Sequence, residues 1–143
     1  MAPVLRISGE PEPEAERIIA DGLNGYNDPI VGAGYFESVP LYVLVTDPVS
    51  GEILGGIRGR TSFGLMTLTL VYLPRSLRGQ GLGARMLTLA EDEGRRRGCR
   101  TAILHTHSFQ APGFYQRQGW HIFGEFPCDP PGTSQIFLSK NLR

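Results

Sequence analysis

Apolar and polar positions along this chain switch between helical spacing and strand alternation, and the switches outline its elements. Val4 to Ile7 predicts a short first strand. Ala15, Ile18, Ile19 and Leu23 then share one helical face, which predicts a helix over Pro11 to Leu23 with acidic residues crowding its first turn. From Asn24 to Ser38 the periodicity is lost. Gly25, Pro29, Gly32 and Gly34 lie among aromatic and polar residues there, as in a long loop or short helical turns, and long irregular loops in compact domains often carry function. Leu41 to Thr46 and Ile53 to Thr61 predict two strands joined by the hairpin-length turn Asp47–Gly51. Ser62-Phe63-Gly64 makes the next turn. Leu65 to Leu73 is apolar or threonine on both faces, the pattern of a central strand buried on both sides.

A glycine-rich stretch, Arg78 to Gly83, leads into a helix over Ala84 to Arg97. Met86, Leu87, Leu89 and Ala90 supply its apolar face, Arg95 to Arg97 sit at the negative end of its dipole, and Gly98 ends it. Thr101 to Thr106 is a further strand, parallel to Leu65–Leu73 because a helix crosses between them. A short helix over Gln110 to Gln118, closed by Gly119, precedes two closing strands, Trp120 to Phe126 and Ser134 to Ser139. The order β-α-loop-β-β-β-α-β-α-β-β predicts an α/β fold, a mixed sheet with helices on its faces.

At 143 residues the chain has room for one domain, spanning 1–143. Its formal charge is zero, so nothing in the total points to nucleic acid or an anionic membrane. Arginine carries nearly all the positive charge, and Lys140 is the only lysine. Cys99 and Cys128 have no metal-ligand spacing and are expected to be free thiols in a reducing compartment; no metal is implied. No stretch has the length of a membrane span and the N-terminus lacks a signal-peptide pattern, so the expected location is the cytoplasm.

The chemistry begins at Arg78-Gly79-Gln80-Gly81-Leu82-Gly83, between a buried strand and the start of a helix. The first backbone N–H groups of a helix lack intrahelical partners, and the dipole favours negative charge there. Glycines allow a pyrophosphate to approach closely, and Arg78 adds a charged donor. Gly79-x-Gly81-x-x-Ala84 also satisfies the loose dinucleotide pattern, but the strand about 20 positions on, Thr101 to Leu104, has no carboxylate to hold a ribose. The nucleoside-triphosphate loop requires Gly-Lys-Ser/Thr, and the lysine is missing.

Arg78-x-x-Gly81-x-Gly83 resembles the Arg/Gln-x-x-Gly-x-Gly/Ala signature of the GCN5-related N-acetyltransferases. Downstream, Ala111-Pro112-Gly113-Phe114-Tyr115-Gln116-Arg117-Gln118-Gly119-Trp120 resembles that family's Ala-x-x-Leu/Phe-Tyr-x-x-x-Gly-Phe/Tyr segment. Two motifs in this order with a strand between them are more specific than either alone, and the element order fits over nearly the whole chain. The resemblance implies the acyl-CoA N-acyltransferase fold, acetyl-CoA as donor and an amine as acceptor, with a homodimer possible. It implies a pyrophosphate on Arg78–Gly83 and a pantetheine arm paired with backbone near Val71, Tyr72 and Leu73. Ser108 stands where the family often has an asparagine against that arm.

Acetyl transfer needs a neutral amine to attack a thioester, an oxyanion to be stabilised and a thiolate to depart. Tyr115 matches the family tyrosine that serves as general acid, and a phenol stays protonated at neutral pH. Some family members place a basic carboxylate on the strand before the glycine loop, and Leu65–Leu73 has none. His105 and His107, two apart and so on one face of a strand, are candidate proton relays; a chain of waters is the alternative. The acceptor pocket is expected from Asn24–Ser38 and the residues around His105, with Asp28 and Glu37 attracting a cationic amine and Tyr26 and Tyr35 walling it. A fold that binds acetyl-CoA as a sensor, with little catalysis, is the competing function.

Overall fold

The computed structural model describes all residues, Met1–Arg143, and divides into two compact units, Met1–Phe36 and Glu37–Arg143. In the first unit Val4 to Ile7 forms no strand. The four residues have no strand beside them and stand exposed, and a lone strand leaves its backbone groups without partners. Helix α1 spans Pro13–Val31, eight residues beyond the end expected at Leu23. Pro13 opens it without losing a bond, and Glu14 and Glu16 complement the dipole. Pro29 falls in the last turn, where it interrupts little. The end comes at Gly32, whose φ of 97° turns the chain while its N–H bonds Asp28 O at 2.8 Å. Asn24–Val31 is therefore helix rather than loop, and only the remainder of the expected irregular segment is a turn.

The second unit is one six-stranded sheet in the order β1-β2-β3-β4-β6-β5. β1 (Val39–Thr46), β2 (Ile53–Ser62) and β3 (Leu65–Tyr72) form an antiparallel meander. Asp47 Oδ1 fixes the first turn by accepting the N–H groups of Val49 and Ser50, both at 2.8 Å. α2 (Leu82–Arg96) crosses to β4 (Thr101–His107), which runs parallel to β3. The short α3 (Pro112–Arg117) follows, then β5 (His121–Cys128) and β6 (Thr133–Asn141); β6 inserts between β4 and β5, antiparallel to both.

The core lies on one face of the sheet. Leu41, Ile57, Met66, Leu68, Ala102, Leu104, Ile136 and Leu138 alternate inward along their strands and are buried with Met86, Leu87 and Ala90 of α2. Gly94 of α2 is required by this packing: a Cβ there would lie 3.0 Å from Met66 Sδ. Trp120 joins the core at 1 % exposure, and its Nε1 donates to the buried Glu91 at 3.3 Å. Lys140 Nζ meets the other Glu91 oxygen at 2.7 Å and donates to Gln118 O at 2.8 Å, so the only lysine ties α2 to the end of α3.

Candidate active site

Two neighbouring strands that part company make the site. β3 and β4 pair from Leu65 with Thr101 only as far as Leu68 with Leu104. Beyond that point β3 stays with β2 to Tyr72, and β4 stays with β6 to His107. The cause is local. On β2, Gly59 faces Leu68 but its neighbour Arg58 faces Leu70, so Thr69 is one residue too many, a β-bulge that bends the strand. Thr69 Oγ1 donates to Arg58 O at 2.9 Å and accepts from Arg58 Nε at 3.1 Å, which fixes the bulge. A Cβ on Gly59 would lie 2.5 Å from Thr67 O, so the close approach beside the bulge needs glycine. The expectation that Leu65–Leu73 is buried on both sides therefore fails in its second half: Leu70, Val71 and Tyr72 are exposed because no strand covers them.

The fork opens a cleft of about 830 Å³. Leu68–Leu73 line one wall and Leu104–Thr106 the other; Arg78, Gly79, Gly81 and Gly83 line one end, with Phe109, Gln110, Phe114, Tyr115 and Arg117 alongside. Gly79 and Gly81 both adopt φ of 77°, a left-handed conformation that L side chains resist. Gly81 caps α2, no side chain bonds that helix end, and the N–H groups of Gly81 to Ala84 have no acceptor in the protein. A row of unpaired donors at the positive end of a helix dipole, open to a cleft, is suited to phosphate oxygens. Arg78 Nε is held by Leu73 O at 2.8 Å. Gly83 has a different requirement: a Cβ there would come within 3.0 Å of Phe114 Cζ, so it admits α3 against the start of α2. Gln80, whose Nε2 reaches Ser76 O at 3.3 Å, and Leu82 do not line the cleft.

Gln110 shapes the segment before α3: its Oε1 accepts from His107 N at 2.9 Å and from Thr106 Oγ1 at 3.2 Å. Ala111 then takes the left-handed conformation at φ 59° and starts α3. One turn on, Tyr115 packs edge-to-face on Phe114 and Trp120, with centroids 5.1 and 6.5 Å away. It is 8 % exposed and lines the cleft, and no group of the protein hydrogen-bonds its hydroxyl. Burial pushes the phenol above its ordinary range, so it stays protonated.

His105 and His107 share a strand face, alternating with the buried Leu104 and Thr106, but their surroundings differ. His105 lines the cleft; its Nδ1 is 2.9 Å from Gln135 Nε2 and its ring 5.5 Å from that of Phe137. His107 does not line it. Its ring stacks on Phe109 at 5.2 Å, and its Nδ1 is 3.9 Å from Cys128 Sγ. Ser108 is also turned to other work: its N–H bonds Ser134 O at 2.8 Å and its Oγ accepts from Ser134 N at 3.0 Å. Tyr26 and Asp28 lie on α1 and Tyr35 in the turn after it, all in the first unit, whereas Glu37 is exposed at the head of the second. Asp28 Oδ1 and Asn24 Oδ1, one helical turn apart, are buried without partners. The sequence reading missed Thr69, Phe109, Gln110, Phe114 and Arg117 as lining residues; the last four flank or fall within the downstream motif, which was the available signal.

Residues 10–120 match the acetyltransferase (GNAT) family. Blasticidin-S acetyltransferase of Streptomyces morookaense is 37 % identical over 74 % of this chain and 80 % of its own length. An acetyltransferase of Agrobacterium fabrum is 31 % identical over 95 % of this chain and 97 % of its own. The crystal structure of an Agrobacterium tumefaciens acetyltransferase superposes with a TM-score of 0.85 at 30 % identity, covering 96 % of this chain and 98 % of that one. With the forked strands, the glycine loop and these matches together, the chain belongs to the GNAT family of acetyltransferases, enzymes that move an acetyl group from acetyl-CoA to an amine.

Proposed function

We propose that the acceptor is the amine of a small molecule, that Tyr115 is the general acid and that His105 is the proton relay. The observation that carries the reading is the fork: Tyr115 and His105 line one cleft, and the glycine loop lines the same cleft. The loop N–H groups and Arg78 hold the pyrophosphate, with Arg117 a further cation on the lining. The unpaired edge of β3 from Thr69 onward offers backbone groups to the pantetheine amides near Val71, Tyr72 and Leu73. The amine attacks the thioester carbon and the C–S bond breaks. Tyr115 protonates the departing sulfur, and His105 takes up at Nε2 the proton that the amine nitrogen sheds, with the Gln135 amide turned so that its oxygen accepts from Nδ1–H and leaves Nε2 its lone pair.

A small-molecule acceptor is favoured by the relative named for blasticidin-S. His107 and Ser108, bonded elsewhere, take no part in this scheme. A cytoplasmic location fits two free cysteines and a chain in which no helix is long and apolar enough to cross a membrane. A sensor role is not favoured, because an unbonded, protonated phenol on the cleft wall serves transfer and adds nothing to binding alone. The test is acetyl-CoA turnover over a panel of small amines, read as free thiol. CoA binding by thermal shift with no thiol release above the amine-free blank for any amine would overturn it.

A further inference from the structure

The face of the sheet away from α2 has an unusual charge pattern. Across all six strands the only carboxylate is Glu125, and it stands opposite the buried Ile136, bonded to Ser134 Oγ at 2.7 Å, on the α2 side. The other face therefore carries no acidic strand residue. It does carry Arg58 and Arg60, both exposed, alternating with the inward Ile57, Gly59 and Thr61.

Arg58 has a particular position. The last β3–β4 pair is Leu68 with Leu104, so Thr69 and His105, each one residue on, flank the fork from its two arms. Arg58 binds Thr69 through Nε alone, which leaves both terminal nitrogens of the guanidinium without partners. On the far arm, Phe137 pairs with His105 across β4 and β6, and its ring meets those of Phe123 and Phe126 at 6.1 and 5.7 Å. Across the sheet, level with the fork, the order is thus a free guanidinium edge, the bulge threonine, the cleft histidine and an exposed aromatic group.

We propose that the acceptor is an amine that also carries a carboxylate on a flat apolar frame, the carboxylate held by Arg58 and the frame resting on Phe137. The planar fork of a guanidinium suits a carboxylate, and no strand presents an acid on this face to attract a simple cation. Continuity with the cleft supports the placement, since His105 lines the cleft and also touches Phe137. The inference rests on the reading of the cleft as the site of transfer.

The experiment uses probes matched in shape, 4-(aminomethyl)benzoate against 4-(aminomethyl)benzamide, with L-phenylalanine against its less basic amide as a second pair, each pair compared at equal concentrations of free amine. Wild type should favour the carboxylate in at least one pair, with kcat/KM about tenfold higher or more, as a charge-assisted hydrogen bond provides. The preference should weaken with added salt. Arg58→Gln should bring the ratio to within about twofold through KM for the acceptor, on top of any loss from the missing Nε–Thr69 bond, which falls equally on both members of a pair; Arg58→Lys should restore part of the ratio. Amides used as well as carboxylates, a preference that survives Arg58→Gln, or turnover confined to amines without a carboxylate would overturn the proposal while leaving acetyl transfer standing. CoA binding with no thiol release from any amine would remove the underlying reading, and this proposal with it.

Discussion

Tyr115→Phe separates a catalytic tyrosine from a packing one, because the structure makes the two effects unequal. The ring carries the contacts with Phe114 and Trp120, and phenylalanine keeps it. The hydroxyl bonds nothing in the protein, so its removal orphans no partner, and stability should change by less than about 0.5 kcal/mol. Loss of a general acid costs ~10²–10⁴ in rate. The lower end is expected here, since a thiol with a reference pKa of about 8.5 departs partly unassisted; two decades correspond to about 2.7 kcal/mol of barrier. Burial raises the phenol pKa, so wild type should hold its acid form past the ordinary phenol value of about 10. The rate deficit of the variant should therefore be largest near neutrality and shrink above about pH 8.5, where the thiolate leaves without a proton. Stability follows the same sign. A folded-state pKa raised for an acid favours the neutral form, a contribution present below the unfolded value of about 10 and lost as pH rises past it, and the variant should lack that alkaline decline. The assay is kcat against pH with one saturating amine, beside thermal melts of both proteins. Equal rates with equal melting temperatures would remove Tyr115 from the chemistry, and a slow variant that also melts several degrees lower would make it a packing residue.

Three further outcomes follow from the same geometry. His105→Asn should lower kcat and shift the acidic limb of the pH profile, whereas His107→Asn should do neither; the reverse pattern would show that the cleft is wrongly lined. Gly83→Ala should cost about 1–3 kcal/mol by overpacking Phe114, whereas Gly81→Ala meets no protein atom, so its stability loss should be the backbone penalty of about 1–2 kcal/mol while its Cβ enters the space left for the pyrophosphate and raises KM for acetyl-CoA; urea melts and CoA titrations would read both, and unchanged CoA affinity in a folded Gly81→Ala would refute the assignment of the loop. Lys140→Met removes the shortest partner of Glu91, whose side chain is only 6 % exposed, and leaves it Trp120 Nε1 at 3.3 Å and Arg95 at 3.8 Å, so it should cost about 2 kcal/mol by urea melt, with Glu91→Leu added to it recovering part of the loss; purely additive effects would deny the pair any coupling.

What the sequence disclosed depended on how local the cause was. The glycine loop, α2 and the parallel β4 were legible because dipole, spacing and a single crossover dictate them within a few dozen residues. The length of α1 was obscured by Gly25 and Pro29, which look like breakers in sequence; Pro29 sits in the final turn, where it does little harm. Val4–Ile7 has strand composition and no neighbour to pair with, a fact that composition does not contain. The fork was legible only as a family expectation, since the bulge at Thr69 depends on how β2 and β3 register. The two histidines were rightly placed on one face, yet only tertiary structure separates the one in the cleft from the one beside Cys128. The acidic residues proposed for the acceptor, Asp28 and Glu37, lie in different units, whereas Arg58 was passed over because one exposed arginine on an interior strand carries no sequence signal.

The single lysine bears on how this catalyst coexists with its own reagent. Thioesters acetylate exposed ε-amines slowly and without help, and an enzyme that concentrates acetyl-CoA invites such damage to itself. Here the one ε-ammonium is clamped between the Glu91 carboxylate and the Gln118 carbonyl, and every other side-chain cation is a guanidinium, which does not compete as a nucleophile at neutral pH. Among amines, that leaves the chain's α-amine as the adventitious acceptor. Amine-directed labels should accordingly attach once at most under native conditions, and a second attachment should appear only as the protein unfolds, so that the modification count becomes a direct gauge of how much of the population has opened.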